Sequence, residues 1–199
     1  MVYAIIACII CGVLSGYFMF DITAKDTLDF VLLRALSVLV LIAGIEIGSN
    51  RDTVKKLYNP KSIMLAISIP TGIIIGTVLG SIIATYFIDI SIADSMVVGI
   101  GLGWYSLSSV VISTMYSTEI GTIAFFVNML RETFAFLLIP FLVRWNKYLA
   151  IAPAGAPAMD TLLPLTIRYT NLHVGMYGFA SGLILTLVVP ILLTVFMPS

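Results

Sequence analysis

The chain has 199 residues, of which 60% are hydrophobic and only 10% charged, with a formal net charge of zero and a mean hydropathy of +1.13. Soluble domains average about 25% charged residues, so the composition excludes a water-covered globule, and zero net charge argues against a nucleic-acid partner. At about 20 residues per crossing, the length holds roughly seven spans and no separate soluble domain.

Apolar runs fall at 2–20, 28–48, 62–88, 95–116, 120–143, 149–167 and 172–197. Each is long enough to cross a bilayer and none alternates like a strand, so the expectation is an all-α polytopic membrane protein, 1–199 as one transmembrane domain. No Lys or Arg precedes the first run, so it lacks the basic start of a signal peptide and reads as a retained span. Its Cys8 and Cys11 read as small packing residues, since no polar setting supports a redox CxxC. The Gly72, Gly76 and Gly80 spacing in the third run predicts close helix packing.

Two runs carry helix breakers. The fourth contains Gly99-Ile100-Gly101-Leu102-Gly103, and the sixth contains Pro153-Ala154-Gly155-Ala156-Pro157. Glycine is permissive and proline lacks an amide donor, so both runs are expected to be discontinuous helices. Both exceed 18 residues and are expected to cross fully, as discontinuous helices do in transporters.

The 49–61 loop carries Arg51, Lys55, Lys56 and Lys61 against Asp52. The positive-inside bias puts it in the cytoplasm, with the N-terminus cytoplasmic and the Asp89–Asp94 loop and C-terminus outside. Seven full crossings then leave Arg144 and Lys147 outside, against that bias.

Charges within or beside apolar runs are Asp29, Arg34, Glu46, Glu119, Arg131, Glu132 and Asp160. Asp29 and Glu119 lie near helix starts, where a carboxylate complements the dipole. Arg34 is close enough to the edge to snorkel. Glu46, between Gly44 and Gly48, admits either a structural or a pathway role. Asn128 and Glu132 share one face of the fifth helix, with Arg131 turned about 100° away. Glu132 lies near mid-membrane, where a carboxylate is costly and usually serves a cavity, a partner or an ion path; a buried salt bridge is the structural alternative. Asp160 follows the proline break, where free backbone carbonyls suit a cation and free amides an anion; it also suits capping of the next helical piece. Trp104, Tyr105, Ser106, Ser108 and Ser109 follow the glycine break and either line a cavity or simply pack. His173 stands alone without a metal-ligand set, and no phosphate-binding loop is present.

Three segments together resemble the lysine exporter (LysO) family: Gly103-Trp104-Tyr105-Ser106-Leu107-Ser108; Asn128 with Arg131-Glu132; and Gly155-Ala156, Met159-Asp160-Thr161 and Leu163-Pro164. The resemblance covers about 100–165 and corresponds to the C-terminal two-thirds of longer relatives. It implies a secondary transporter of the cytoplasmic (inner) membrane that exports L-lysine and its analogues by proton antiport, not an enzyme. Glu132 and Asp160 would couple protons, with Trp104, Tyr105, Ser106, Ser108, Asn128, Arg131, Gly155 and Thr161 lining the substrate path. No cofactor is expected; protons are the coupling ion, with sodium at the 153–157 carbonyls as the alternative. The expected partners are lysine or a similar cationic amino acid, the lipid bilayer, and either a second copy or a small membrane subunit supplying the N-terminal portion. Pro157, Ala158 and Leu162 depart from the more polar residues of longer relatives, which bears on substrate choice. Acids hold lysine's extra cation, and Arg131 or break amides hold its α-carboxylate. The remaining alternatives are a carrier of another amino acid or organic ion and a non-transporting membrane subunit.

Overall fold

The computed structural model describes residues 2–18, 34, 38, 41, 42, 45, 49 and 59–197. Asp29 and Glu46 lie outside them. Among the described residues there are seven α-helices and no strand. They are α1 (Val2–Phe18), α2 (Pro60–Ala84), α3 (Ile92–Gly99), α4 (Tyr105–Met115), α5 (Thr118–Leu142), α6 (Leu163–Tyr169) and α7 (Leu172–Phe196), with 3-10 turns at Lys147–Ala150 and Ala156–Met159.

Local chemistry sets the starts. Ser91, Ser117 and Asn171 each accept a bond from a backbone N–H of the first turn of α3, α5 and α7, which satisfies an amide that the helix cannot. Glu119 sits exposed in the first turn of α5, as its dipole role predicts.

Among the described residues three helices are long and apolar enough to cross a membrane: Ser62–Ala84 within α2, and all of α5 and α7. α2 and α5 are antiparallel. The last turn of α2 shares a cavity with Glu119 and Ile120, while Ser68 and Ile69 share another with Leu142 and Asn146. The bundle therefore has an acidic end, with Asp89, Asp94 and Glu119, and a basic end, with Arg144 and Lys147.

Full crossing of the fourth and sixth runs does not hold. Tyr116 donates to Asp94 at 2.5 Å, so the two ends of the fourth run meet at the acidic end. α3 descends, the chain turns at 100–104, and α4 returns. The sixth run does the same from the basic end. Tyr148 packs edge-on against Tyr177, ring centroids 5.7 Å apart, while Gly175 abuts Ile167 of the returning α6. The glycine and proline interruptions let each run reverse direction. Consequently Arg144 and Lys147 share an end with the start of α2 at Pro60 and Lys61, which removes the charge conflict that full crossings create.

The core gathers where the two folded-back segments meet. Val97, Ile100, Leu102, Ile112, Ala124, Ile139, Ile151, Ala154, Leu162, Leu185 and Val189 are fully buried there. Outer faces stay apolar: Ile67, Ile75, Leu79 and Ile83 on α2, Phe126, Leu130, Phe134 and Leu138 on α5, and Leu187, Ile191 and Val195 on α7 are exposed. Such stripes suit lipid, where helices associate through packing and small residues. Gly121 against Ser113 and Gly182 against Met159 and Ala156 provide those close approaches. At Gly72, Gly76 and Gly80 a Cβ would meet nothing within 4 Å among the described residues. Among the described residues these three glycines border cavities.

Candidate transport site

The interruption at 100–104 is held by Asn128. This side chain, 1% exposed, accepts from the Gly103 N–H at 2.7 Å and donates to the carbonyls of Val98 and Ala124, both at 2.9 Å. It bonds backbone groups on both sides of the break. Asn128 is ten residues along the 25-residue α5, about 15 Å from its start, so the break lies near the middle of the span. Ser108, also fully buried, bonds back to the Trp104 carbonyl at 2.9 Å. Leu102 (φ 50°) and Gly103 (φ 90°) make the turn in the left-handed region, where leucine is uncommon and strained.

The second interruption touches the first. The Leu102 carbonyl accepts from the Ala156 N–H at 2.9 Å. Gly155 has φ 66° and ψ −135°, and a Cβ on it would run into the Leu102 carbonyl oxygen. Glycine is required there both for backbone conformation and for space.

Three polar side chains cluster beside this junction. The Thr161 hydroxyl donates to Glu132 at 2.5 Å and stands 3.4 Å from Asp160. Asp160 also accepts from the Thr161 N–H at 2.6 Å. A hydroxyl has one proton to give and lone pairs to receive, so Thr161 links the two carboxylates. All three residues are half-buried. Among the described residues the Asp160 side chain bonds no amide of α6, while its backbone carbonyl accepts from the Leu163 N–H at 3.2 Å. Tyr105, half-buried and edge-on to Phe125 at 5.5 Å, is within electrostatic reach of both acids.

Arg131 points elsewhere. Its guanidinium donates to the Pro153 carbonyl at 3.2 Å and to the Thr77 hydroxyl at 3.1 Å. Among the described residues no ion pair joins Arg131 or Glu132 to another charge. Trp104 packs against the core, and Ser106 is exposed. Thr77 drew no attention in the sequence, because one Thr in an apolar helix more often bonds its own backbone. His173 packs edge-on to Tyr177 at 5.0 Å. Among the described residues no group of three His, Cys, Asp or Glu side chains could hold a metal.

The family profile described as "Lysine exporter LysO" matches residues 6–197. The chain belongs to the lysine exporter LysO family. The relative named "Lysine exporter LysO" from Escherichia coli (strain K12) is 32% identical over 162 residues, covering 81% of this chain and 53% of that protein. One from Haemophilus influenzae, named "Putative lysine exporter", is 30% identical over 196 residues and covers 96% of both chains. The chain thus spans about half of the Escherichia coli relative and nearly all of the Haemophilus one. No solved structure gives a significant match. Within this LysO-family chain, the matched length includes both interruptions and the Glu132, Asp160 and Thr161 cluster.

Proposed function

We propose that this LysO-family chain is a secondary transporter, not an enzyme, that exports L-lysine and related cationic amino acids across the cytoplasmic membrane in exchange for protons. The observation that carries this reading is the Thr161 hydroxyl linking Glu132 to Asp160 beside the contact between two helix breaks. Ionisable groups at membrane depth mark ion or substrate paths. The names of both relatives support lysine as cargo.

Charge explains the exchange. Arg131, Glu132 and Asp160 give one cation against two anions, a net charge of −1 when all are ionised. A lysine molecule carries a net +1 at neutral pH, and so does a proton. Either load neutralises the centre, and neither is favoured when the other is bound. Lysine entering from the cytoplasm binds the deprotonated pair, and protons arriving from outside displace it. Tyr105 and Thr161 position the acids, while Trp104, Ser106, Ser108, Asn128 and Gly155 shape the wall and hold the breaks. Sodium is disfavoured as the coupling ion because the Arg131 guanidinium already occupies the Pro153 carbonyl and repels a second cation.

In this reading the basic end faces the cytoplasm, as the positive-inside bias requires, and the acidic end and C-terminus face outside. The two folded-back segments enter from opposite sides as re-entrant hairpins. A second copy or a small membrane subunit completes the assembly.

The test is efflux of labelled lysine from proteoliposomes, alone and with any small membrane subunit. Efflux driven by a pH gradient, and indifferent to a sodium gradient, is expected. Sodium-driven movement would replace the proton scheme, and no movement of lysine under any condition would remove lysine as cargo.

A further inference from the structure

Two cavities meet at a single hydrogen bond. One, about 680 Å³, lies among α2, α3 and α5, with Asp89, Asp94 and Glu119 in its lining. The other, about 560 Å³, lies between the first half of α2 and the 142–153 region. The first opens toward the acidic end and the second toward the basic end. Thr77 and Arg131 line both, and their side chains are bonded at 3.1 Å. Gly72 and Gly76 on one side, and Gly80 on the other, leave space along this flank of α2 around Thr77.

Among the described residues the partners of Arg131 are both neutral oxygens, those of Thr77 and Pro153. A guanidinium offers five N–H donors in a planar fork that matches a carboxylate. Burial of a cation with only neutral acceptors is costly and favours an incoming anion. Glu132 cannot be that anion, since it is turned toward Thr161. The free donors of Arg131 are therefore available at the boundary between the cavities.

Building on the transport reading, we propose that Arg131 and Thr77 form the subsite for the α-carboxylate of the transported amino acid. Their mutual bond is the septum between the two cavities. A carboxylate arriving from the basic-end cavity takes the guanidinium as a bidentate partner and displaces the Thr77 hydroxyl. The septum is closed when empty and opened by cargo. Proton exchange takes place beside it, on the other face of α5, at Glu132, Thr161 and Asp160.

Equilibrium binding of labelled lysine to purified protein tests this, with unlabelled lysine and lysinamide as competitors. Lysinamide keeps both amino groups but lacks the carboxylate. In the wild type, lysinamide is expected to compete at least about tenfold more weakly than lysine, because charge-assisted forked pairing is lost. In Arg131→Gln the two should compete alike, and Arg131→Lys should retain part of the difference. Thr77→Val should raise lysine leak without a pH gradient several-fold in vesicles, while Thr77→Ser should match the wild type. Equal competition in the wild type would overturn the carboxylate subsite even if Arg131→Gln failed to fold. An unchanged leak in Thr77→Val would overturn the septum. If the wild type bound lysine and Glu132→Gln abolished proton-linked flux while lysinamide competed as well as lysine, only this inference would fall. If the wild type bound no lysine, the export reading would fall and this one with it.

Discussion

Leu102 and Ala156 join the two broken segments of this chain. The Leu102 carbonyl accepts from the Ala156 N–H at 2.9 Å, although the two segments enter the bundle from opposite ends. Each break leaves backbone groups that lipid cannot satisfy, and this contact lets one break satisfy the other. The junction positions Arg131 on one flank and Glu132 with Asp160 on the other.

Gly155 is the least replaceable residue of that junction. Its φ of 66° with ψ −135° suits glycine almost alone, and a Cβ would collide with Leu102. Gly155→Ala is expected to cost about 1–3 kcal/mol from backbone strain alone, with the clash added. Thermal unfolding in detergent should show a lowered midpoint. An unchanged midpoint would mean that the two breaks do not meet in this way.

Asn128 acts through geometry. Asn128→Leu should leave the Gly103 N–H and the Val98 carbonyl without their partner, costing about 1–3 kcal/mol for each buried group orphaned. Asn128→Asp keeps the acceptor but loses the donor and adds a buried charge. Both variants should be less stable than the wild type, and measured unfolding midpoints decide the point.

Thr161 separates coupling from binding. Thr161→Ser retains the hydroxyl between Glu132 and Asp160, whereas Thr161→Val removes it, leaving half-buried Glu132 without its donor and Asp160 with only the backbone N–H of residue 161. Proton-linked lysine flux should fall about tenfold or more in Thr161→Val and stay near the wild type in Thr161→Ser. Equal flux in the two variants would show that the hydroxyl has no part in coupling.

The fold-back of both broken runs predicts sidedness. In a background lacking Cys8 and Cys11, single cysteines at Lys147 or Arg168 should react with an impermeant thiol reagent from the cytoplasmic face. Cysteines at Asp89 or Glu119 should react only from outside. Reaction of Lys147→Cys and Glu119→Cys from the same face would contradict the single crossing by α5.

Hydropathy and residue type made much of this architecture readable before any coordinates. The long apolar helices at 62–84, 118–142 and 172–196, the helix breakers at 99–103 and 153–157, and the unusual polar residues Asn128, Glu132 and Asp160 all stand out against an apolar background. The direction of the broken runs did not stand out. Run length alone does not distinguish a crossing from a return, and the deciding contact, Asp94 with Tyr116, joins residues 22 apart. Arg144 and Lys147 carried the one warning, since their charge conflicts with full crossings. Thr77 was hidden because its partner Arg131 is 54 residues away.

The most direct test of proton-coupled lysine export counts both loads together. Proteoliposomes holding labelled lysine and a trapped pH indicator would be followed for the wild type, Glu132→Gln and Asp160→Asn. The charge count predicts one proton entering per lysine leaving, so exchange should be electroneutral, although one uncompensated charge would respond by about 2.3 kcal/mol per 100 mV. Both variants should lose proton-linked movement. Undiminished proton-coupled lysine flux in Asp160→Asn or Glu132→Gln would contradict the assignment of the exchange to these two carboxylates.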